Sequence, residues 1–367
     1  MGSIKLFVCL GIILIVLAGC KSENDNQQEF DTQTFFNEFD KIKSAIDKNF
    51  INLEGNWRFS IGDDTAWASP DFNDNNWEKI KVPATWEDQG FHGYNGYAWY
   101  RKTFKLPKEM SGKNLILNAG FIDDVDHTFI NGKLVGKSGG FPPQYLTAYD
   151  AQREYYVPKE YLKEGDNTIA IRVYDAQLEG GITGGDVGLL VVDSDAKMTS
   201  NIDLDINLTG IWKFSLGDIS DWKNPGYADK DWEEIFVPAF WEIQGYKDYD
   251  GFAWYRKSFV FLQKYSGQKM VLLLGMIDDI DQTFVNGVLV GSLGDWNFDK
   301  IPTRFNQNYE WITVRAYDIP DNILKPGKEN IIAVRVYDGY LDGGIYKGPI
   351  GLVTQVKYRE YWKSRKN

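Results

Sequence analysis

The chain is predicted to be all-β, with two β-sandwiches in succession. Three observations carry that prediction. Short apolar or alternating runs are punctuated by 36 Gly and 12 Pro, and no helical stripe persists through the body of the chain. Aromatics make up 15% of the 367 residues, including 13 Trp, a load that suits half-buried pleated surfaces better than a helical bundle. From Gly55 onward the chain also repeats itself at a fixed offset.

Adding 155 to a residue number lands on the same residue type at Gly55/Gly210, Trp57/Trp212, Trp67/Trp222, Trp77/Trp232, Pro83/Pro238 and Trp86/Trp241. The register continues through Trp99-Tyr100-Arg101-Lys102 against Trp254-Tyr255-Arg256-Lys257, and Ile122-Asp123-Asp124 against Ile277-Asp278-Asp279. About half of the positions from Gly55 to Gly136 are identical to their counterparts without a gap. Beyond this the offset becomes 163, as at Arg172-Val173-Tyr174-Asp175 against Arg335-Val336-Tyr337-Asp338, so the second copy has gained residues between Gly291 and Asn330. Solenoid periods are far shorter, so this is a tandem of whole domains.

Within each copy the period is two. Thr168 to Val173 reads as a buried strand, and Asn131-Gly132 and Asn286-Gly287 are tight-hairpin signals between such runs. Many short strands with Gly/Pro punctuation make a sandwich in each copy. The expected division is a signal peptide over 1–19, a tether with one amphipathic helix over 20–51, and sandwiches over 52–193 and 206–358. A polar linker over 194–205 joins them, and a basic tail covers 359–367.

Leu6 to Ala18 is apolar after Lys5 and short for a bilayer span, as in a removed export signal. Its ending, Leu17-Ala18-Gly19-Cys20, resembles the lipobox of bacterial lipoproteins. That resemblance implies acylation of Cys20 and anchoring by lipid alone. Lys21 in place of an Asp implies the outer membrane, and Lys21 to Glu29 resembles the tether of Bacteroidetes-type surface lipoproteins.

A formal charge of −12 argues against a nucleic-acid partner, which needs a basic stripe. Two Cys, both within the first 20 residues, and two His provide neither a disulfide framework nor a zinc set.

The order of Gly55-x-Trp57, Val82-Pro83, Trp99-Tyr100-Arg101, Asn131-Gly132-x-x-Val135-Gly136 and Gly165-x-Asn167 leading to Arg172-Val173 resembles a particular domain type. It is similar to the N-terminal sugar-binding, galactose-binding-like jelly-roll domain of glycoside hydrolase family 2. The resemblance covers both copies. Family 2 hydrolysis uses two carboxylates on a (β/α)₈ barrel of about 250 residues, and the stretch after the second copy is far shorter than that. No catalytic residue is therefore expected.

Trp57, Trp67, Trp77 and their repeats sit on or beside the first strands and are read as packing. Trp86/Trp241 and Trp99/Trp254 flank the loop Gln89 to Gly96 and its partner Gln244 to Gly251. By the resemblance that loop borders the sugar pocket. The rings could stack on a pyranose while Gln89, Tyr94, Asn95, Gln244, Tyr249 and Asp250 meet hydroxyls, or they could be core. Asp175 with Glu179, and Asp338 with Asp342, follow the last buried strand beside a Gly-Gly-Ile turn and are further candidates for hydroxyl contacts. Phe141 and Tyr145 in the first copy, and Trp296 and Phe298 in the second, are read as aromatics without repeat counterparts that choose the ligand.

Arg101 and Arg256 need carboxylates, with Asp124 or Asp126 and Asp279 or Asp281 as candidate partners. Asp123, Asp124 and Asp126 could instead hold Ca²⁺. Alternate strand residues point to opposite faces, however, so Asp123 and Asp124 can meet one ion only if the strand breaks. No metal or cofactor is expected. His92 and His127 have Lys247 and Gln282 as counterparts, so chemistry shared by the copies cannot use them.

The expectation is a non-catalytic carbohydrate-binding surface lipoprotein. Its partners would be an oligo- or polysaccharide and a glycan-degrading enzyme or transporter. Alternatives are a scaffold with vestigial pockets and an accessory subunit of a glycoside hydrolase.

Overall fold

The structure, a computed structural model, describes residues 49–191, 202–296 and 309–364. The expected lipidation site Cys20, the expected helix over Phe35 to Phe50 and the candidate Phe298 lie outside the described residues, save for the last two positions of that helix.

Strands that alternate in burial, such as Gly55–Ile61, together with almost continuously buried ones, such as Met270–Asp278, build two sheets per copy. In the first copy the strands are β1 (Phe50–Asn52), β2 (Gly55–Ile61), β3 (Glu78–Val82), β4 (Gly96–Leu106) and β5 (Leu115–Asp123). They continue with β6 (Val125–Ile130), β7 (Lys133–Ser138), β8 (Gln152–Val157), β9 (Gly165–Asp175) and β10 (Gly181–Val191). They pair as a six-stranded sheet β3-β2-β4-β9-β6-β7 and a four-stranded sheet β1-β10-β5-β8. Trp57, Phe59, Tyr100, Leu117, Ile171 and Leu189 fill the space between the sheets.

The second copy repeats the plan with β11 (Ile206–Asn207), β12 (Gly210–Leu216), β13 (Glu233–Val237), β14 (Gly251–Val260) and β15 (Met270–Asp278). Then come β16 (Ile280–Val285), β17 (Val288–Leu293), β18 (Val314–Asp318), β19 (Glu329–Asp338) and β20 (Gly344–Thr354). Their orders are β13-β12-β14-β19-β16-β17 and β11-β20-β15-β18. The all-β, two-sandwich prediction is met. The two hairpins form where they were expected. Asn131 and Gly132 take φ of 49° and 76° between β6 and β7, and Asn286 and Gly287 take 50° and 84° between β16 and β17. Positive φ at both central residues matches the strand twist.

Two segments differ from expectation. The linker's last residues fold onto the second sandwich: Ile202 is buried against Val271 and Val353, and Asp205 accepts the Thr354 amide at 2.7 Å. The basic tail begins as helix α1 (Gln355–Ser364), whose Tyr358 and Tyr361 pack on the same cluster. Apolar residues at helical spacing there outweigh the charges.

Part of the outer face of each six-stranded sheet is also covered. Trp67 and Trp77 lie over Trp99 and Ala170, and Trp222 and Trp232 lie over Trp254 and Ala333. The two copies touch at β7: the Gly139 amide donates to the Ile243 carbonyl at 2.7 Å, and Lys137 Nζ to that of Glu234 at 2.9 Å.

Candidate functional site: an acidic cleft at the mouth of each sandwich

The chain changes sheets three times at the same end of each copy, one of them between β7 and β8 or between β17 and β18. It leaves the four-stranded sheet after Asp123 and enters the six-stranded one at Val125, and it returns between Asp175 and Gly181. The strand thus breaks at the very residues that alternation would have separated. The Asp123–Asp124 peptide is cis, as is Asp278–Asp279. Carboxylate oxygens of Asp123, Asp124 and Asp175 lie within 4.8 Å of one another, and those of Asp278, Asp279 and Asp338 do the same. The cluster is therefore duplicated with the fold.

Each acid is held differently. Asp124 accepts hydrogen bonds from the Tyr145 hydroxyl at 2.7 Å, the Thr147 hydroxyl and the Ala176 amide at 3.0 Å. Burial works against its charge, but these donors win and hold its carboxyl below the usual range. Asp123 goes the other way: burial first, then the adjacent Asp124, pushes it up. Asp175 is fully buried. Burial raises it to about 6, although the Gln177 amide bonds Oδ1 at 3.0 Å. Its Oδ2 is buried and has no partner. Asp338 is the same case, raised to about 8 mainly by burial, with the Tyr340 amide on Oδ1 and Oδ2 unmatched. Among the described residues, no ion pair reaches any of these six carboxylates.

Beside the first cluster runs a row of half-buried and exposed rings. Tyr145, 40% exposed, lies 5.8 Å from Tyr174, Tyr174 lies 4.8 Å from Tyr97, and Tyr97 stacks on Phe141 at 5.6 Å. The Arg172 guanidinium sits 4.8 Å from Tyr97 and 4.1 Å from Phe141, and it is anchored on Asp63. In the second copy Arg335 lies 4.9 Å from Phe252 and 4.5 Å from Trp296, anchored on Asp218. Phe141 and Trp296 are thus equivalent residues, 155 apart, and not the unmatched aromatics expected from sequence.

Several expected contacts are corrected. Trp86, Trp99, Trp241 and Trp254 are at most 1% exposed, so none of their rings can stack on a sugar. Trp86 packs on Phe59 and donates to the Tyr94 carbonyl, while Trp99 donates to Asp63 from beneath Trp67. Gln89 and Gln244 hold β3 and β13 by bonding both backbone groups of Lys81 and of Phe236. Tyr94 and Tyr249 donate to the carbonyls of Tyr97 and Phe252. Asn95, Asp250, Glu179 and Asp342 are exposed. Arg101 pairs with Asp74 at 2.8 Å and Arg256 with Asp229 at 2.7 Å, not with the expected acids. Asp126 and Asp281 serve two arginines that sequence reasoning missed, Arg153 and Arg315, each at 2.9 Å and fully buried. A signal existed: Asp74/Asp229 recur at offset 155, and Arg153-x-Tyr155 recurs as Arg315-x-Tyr317 at 162, between the two registers followed.

Residues 62–179 match the family described as the second all-β domain of β-galactosidase. A β-galactosidase of Bacteroides ovatus is 31% identical over 140 residues, covering 34% of this chain and 15% of the relative. The chain carries a domain related to those of family 2 glycoside hydrolases. A Formosa agariphila protein provisionally named as a β-glucuronidase is 34% identical over 141 residues, covering 35% of this chain and 12% of that one. These matches thus span less than a fifth of each relative. A solved Bacteroides uniformis β-glucuronidase aligns over 80% of this chain and 28% of its own at 18% identity, with a TM-score of 0.34, too distant a likeness to carry an argument.

Proposed function

We propose that this protein binds carbohydrate without cleaving it, as a lipid-anchored accessory of a glycan-degrading system at the outer membrane. The observation that carries the reading is the duplicated acidic cleft beside a row of accessible aromatics, within a domain related to family 2 hydrolases. Rings such as Tyr145 and Tyr174 offer flat apolar faces to a pyranose, and the carboxylates accept from its hydroxyls. An uncompensated acidic cleft repels uronates, so neutral sugars are the favoured ligands of the free cleft. The polypeptide partner is a glycan-degrading enzyme or transporter, and Cys20 supplies the anchor.

The test is a glycan array with the purified protein, paired with hydrolysis assays on aryl galactosides and glucuronides. Binding to neutral oligosaccharides, weakened about tenfold by Tyr145→Ala and unaccompanied by turnover, is expected. That loss corresponds to about 1.4 kcal/mol, the scale of one aromatic contact. Turnover abolished by a single acid-to-amide change would make the protein an enzyme. An array without a hit would leave a scaffold.

A further inference from the structure

We infer that each acidic cleft is a divalent-cation site, with calcium the ion it fits best and two ions per chain. The inference concerns the same carboxylates that the carbohydrate reading uses, and it is tested on the protein without any glycan.

Four observations converge. Three carboxylate oxygens lie within 4.8 Å of one another in each copy, within the span of two Ca–O bonds of about 2.4 Å across one ion. The deepest acid of each cluster, Asp175 or Asp338, is fully buried and has a second oxygen with no hydrogen-bond partner. Buried acceptors in folded proteins are almost always matched, so an orphan oxygen in each of two copies points to a missing ligand. The nearest guanidinium cannot supply it. Arg153 spends four of its five N–H groups on Asp126 and the carbonyls of Ala148, Ala151 and Asp124, and Arg315 spends four on Asp281 and the carbonyls of Glu310, Thr313 and Asp279. Finally, the whole arrangement recurs in the second copy although the loops around it have diverged. Three carboxylates gathered without a cation repel one another, and hard oxygen donors suit Ca²⁺, with water completing the shell.

The full-length protein is stripped with EDTA, dialysed and titrated with CaCl₂ by calorimetry. In parallel, TbCl₃ is titrated while tyrosine is excited, since Tyr145 bonds Asp124 directly. Two ions per chain and a raised melting temperature in calcium are expected. Asp175→Asn and Asp338→Asn should each remove one ion, and the double variant both. In EDTA above about pH 8, where both acids are ionised, these variants should melt no lower than the parent, because a repelling charge is gone. If an Asn variant misfolds, Asp123→Asn and Asp278→Asn, at half-buried positions, take its place with the same expected losses. No heat and no terbium signal at millimolar ion would overturn the inference. So would binding undiminished by the double variant. Neither result touches glycan binding, which the array measures in EDTA.

Discussion

At the residue scale, the same side-chain type does different work according to what covers it. Trp99 lies on the solvent side of its sheet, yet Trp67 and Trp77 roof it over, so its ring is packing. Phe141, also on that side, has no roof and stays half-exposed against Arg172. His127 shows how burial sets charge. Its pKa falls to about 3, first through burial and then through repulsion by Lys137 and Arg172, with Asp63 the only group opposing the fall. The unfolded chain takes up this proton near 6.5 and the native state refuses it. Stability from this group is therefore complete above about 6.5 and is lost as pH falls toward about 3. In the second copy Gln282 stands here and accepts from Arg335 at 2.9 Å. His127→Gln should accordingly flatten the acid limb between pH 6.5 and 3 in urea denaturation. Parallel limbs for parent and variant would refute the assignment.

At the element scale, the glycine pair after β9 is a packing device. A Cβ on Gly180 would come within 2.2 Å of the Trp86 ring, and one on Gly343 within 2.1 Å of Trp241. Each tryptophan fills the slot that a missing side chain leaves, and the loop then delivers Asp175 or Asp338 to the cleft. Gly180→Ala should destabilise by about 1–3 kcal/mol through overpacking. Gly184→Ala, where a Cβ meets nothing within 4 Å, should change stability far less. Equal denaturation midpoints for the two variants would contradict this account. The break between β5 and β6 belongs to this scale too. Period-two alternation applies within a strand and says nothing about a residue placed between strands of different sheets, and Asp124 is that residue.

At the scale of the whole molecule, two copies with equivalent clefts give a bivalent surface. If both bind glycan as proposed, two weak sites on one chain would hold a repeating glycan more tightly than either alone, provided the spacing of its units allows both to engage. Among the described residues no helix is long and apolar enough to cross a membrane. The proposed anchor is the acylated Cys20. Cys20→Ala should abolish labelling by fatty-acid analogues and shift the protein from the membrane to the soluble fraction. Labelling that persists in the variant would refute the lipobox reading.

The sequence by itself determined the all-β class, the duplication and the two Asn-Gly hairpins. These follow from local rules: a side-chain period of two, the rarity of positive φ outside Gly and Asn, and an identity register that needs no fold to be seen. It also located the aspartates of the clefts, because they recur. Only the tertiary structure decided which side chains are accessible and which acids meet. Alternation assigns a residue to one of two sheet faces, but part of the outer face of each six-stranded sheet is roofed by tryptophans here, so Trp99 and Trp254 are buried where the period alone would let them face solvent. Likewise Asp124 and Asp175 lie far apart along the chain and meet only because two crossings between sheets occur at one end of the sandwich. Convergence of that kind is a property of packing, to which a one-dimensional pattern is blind.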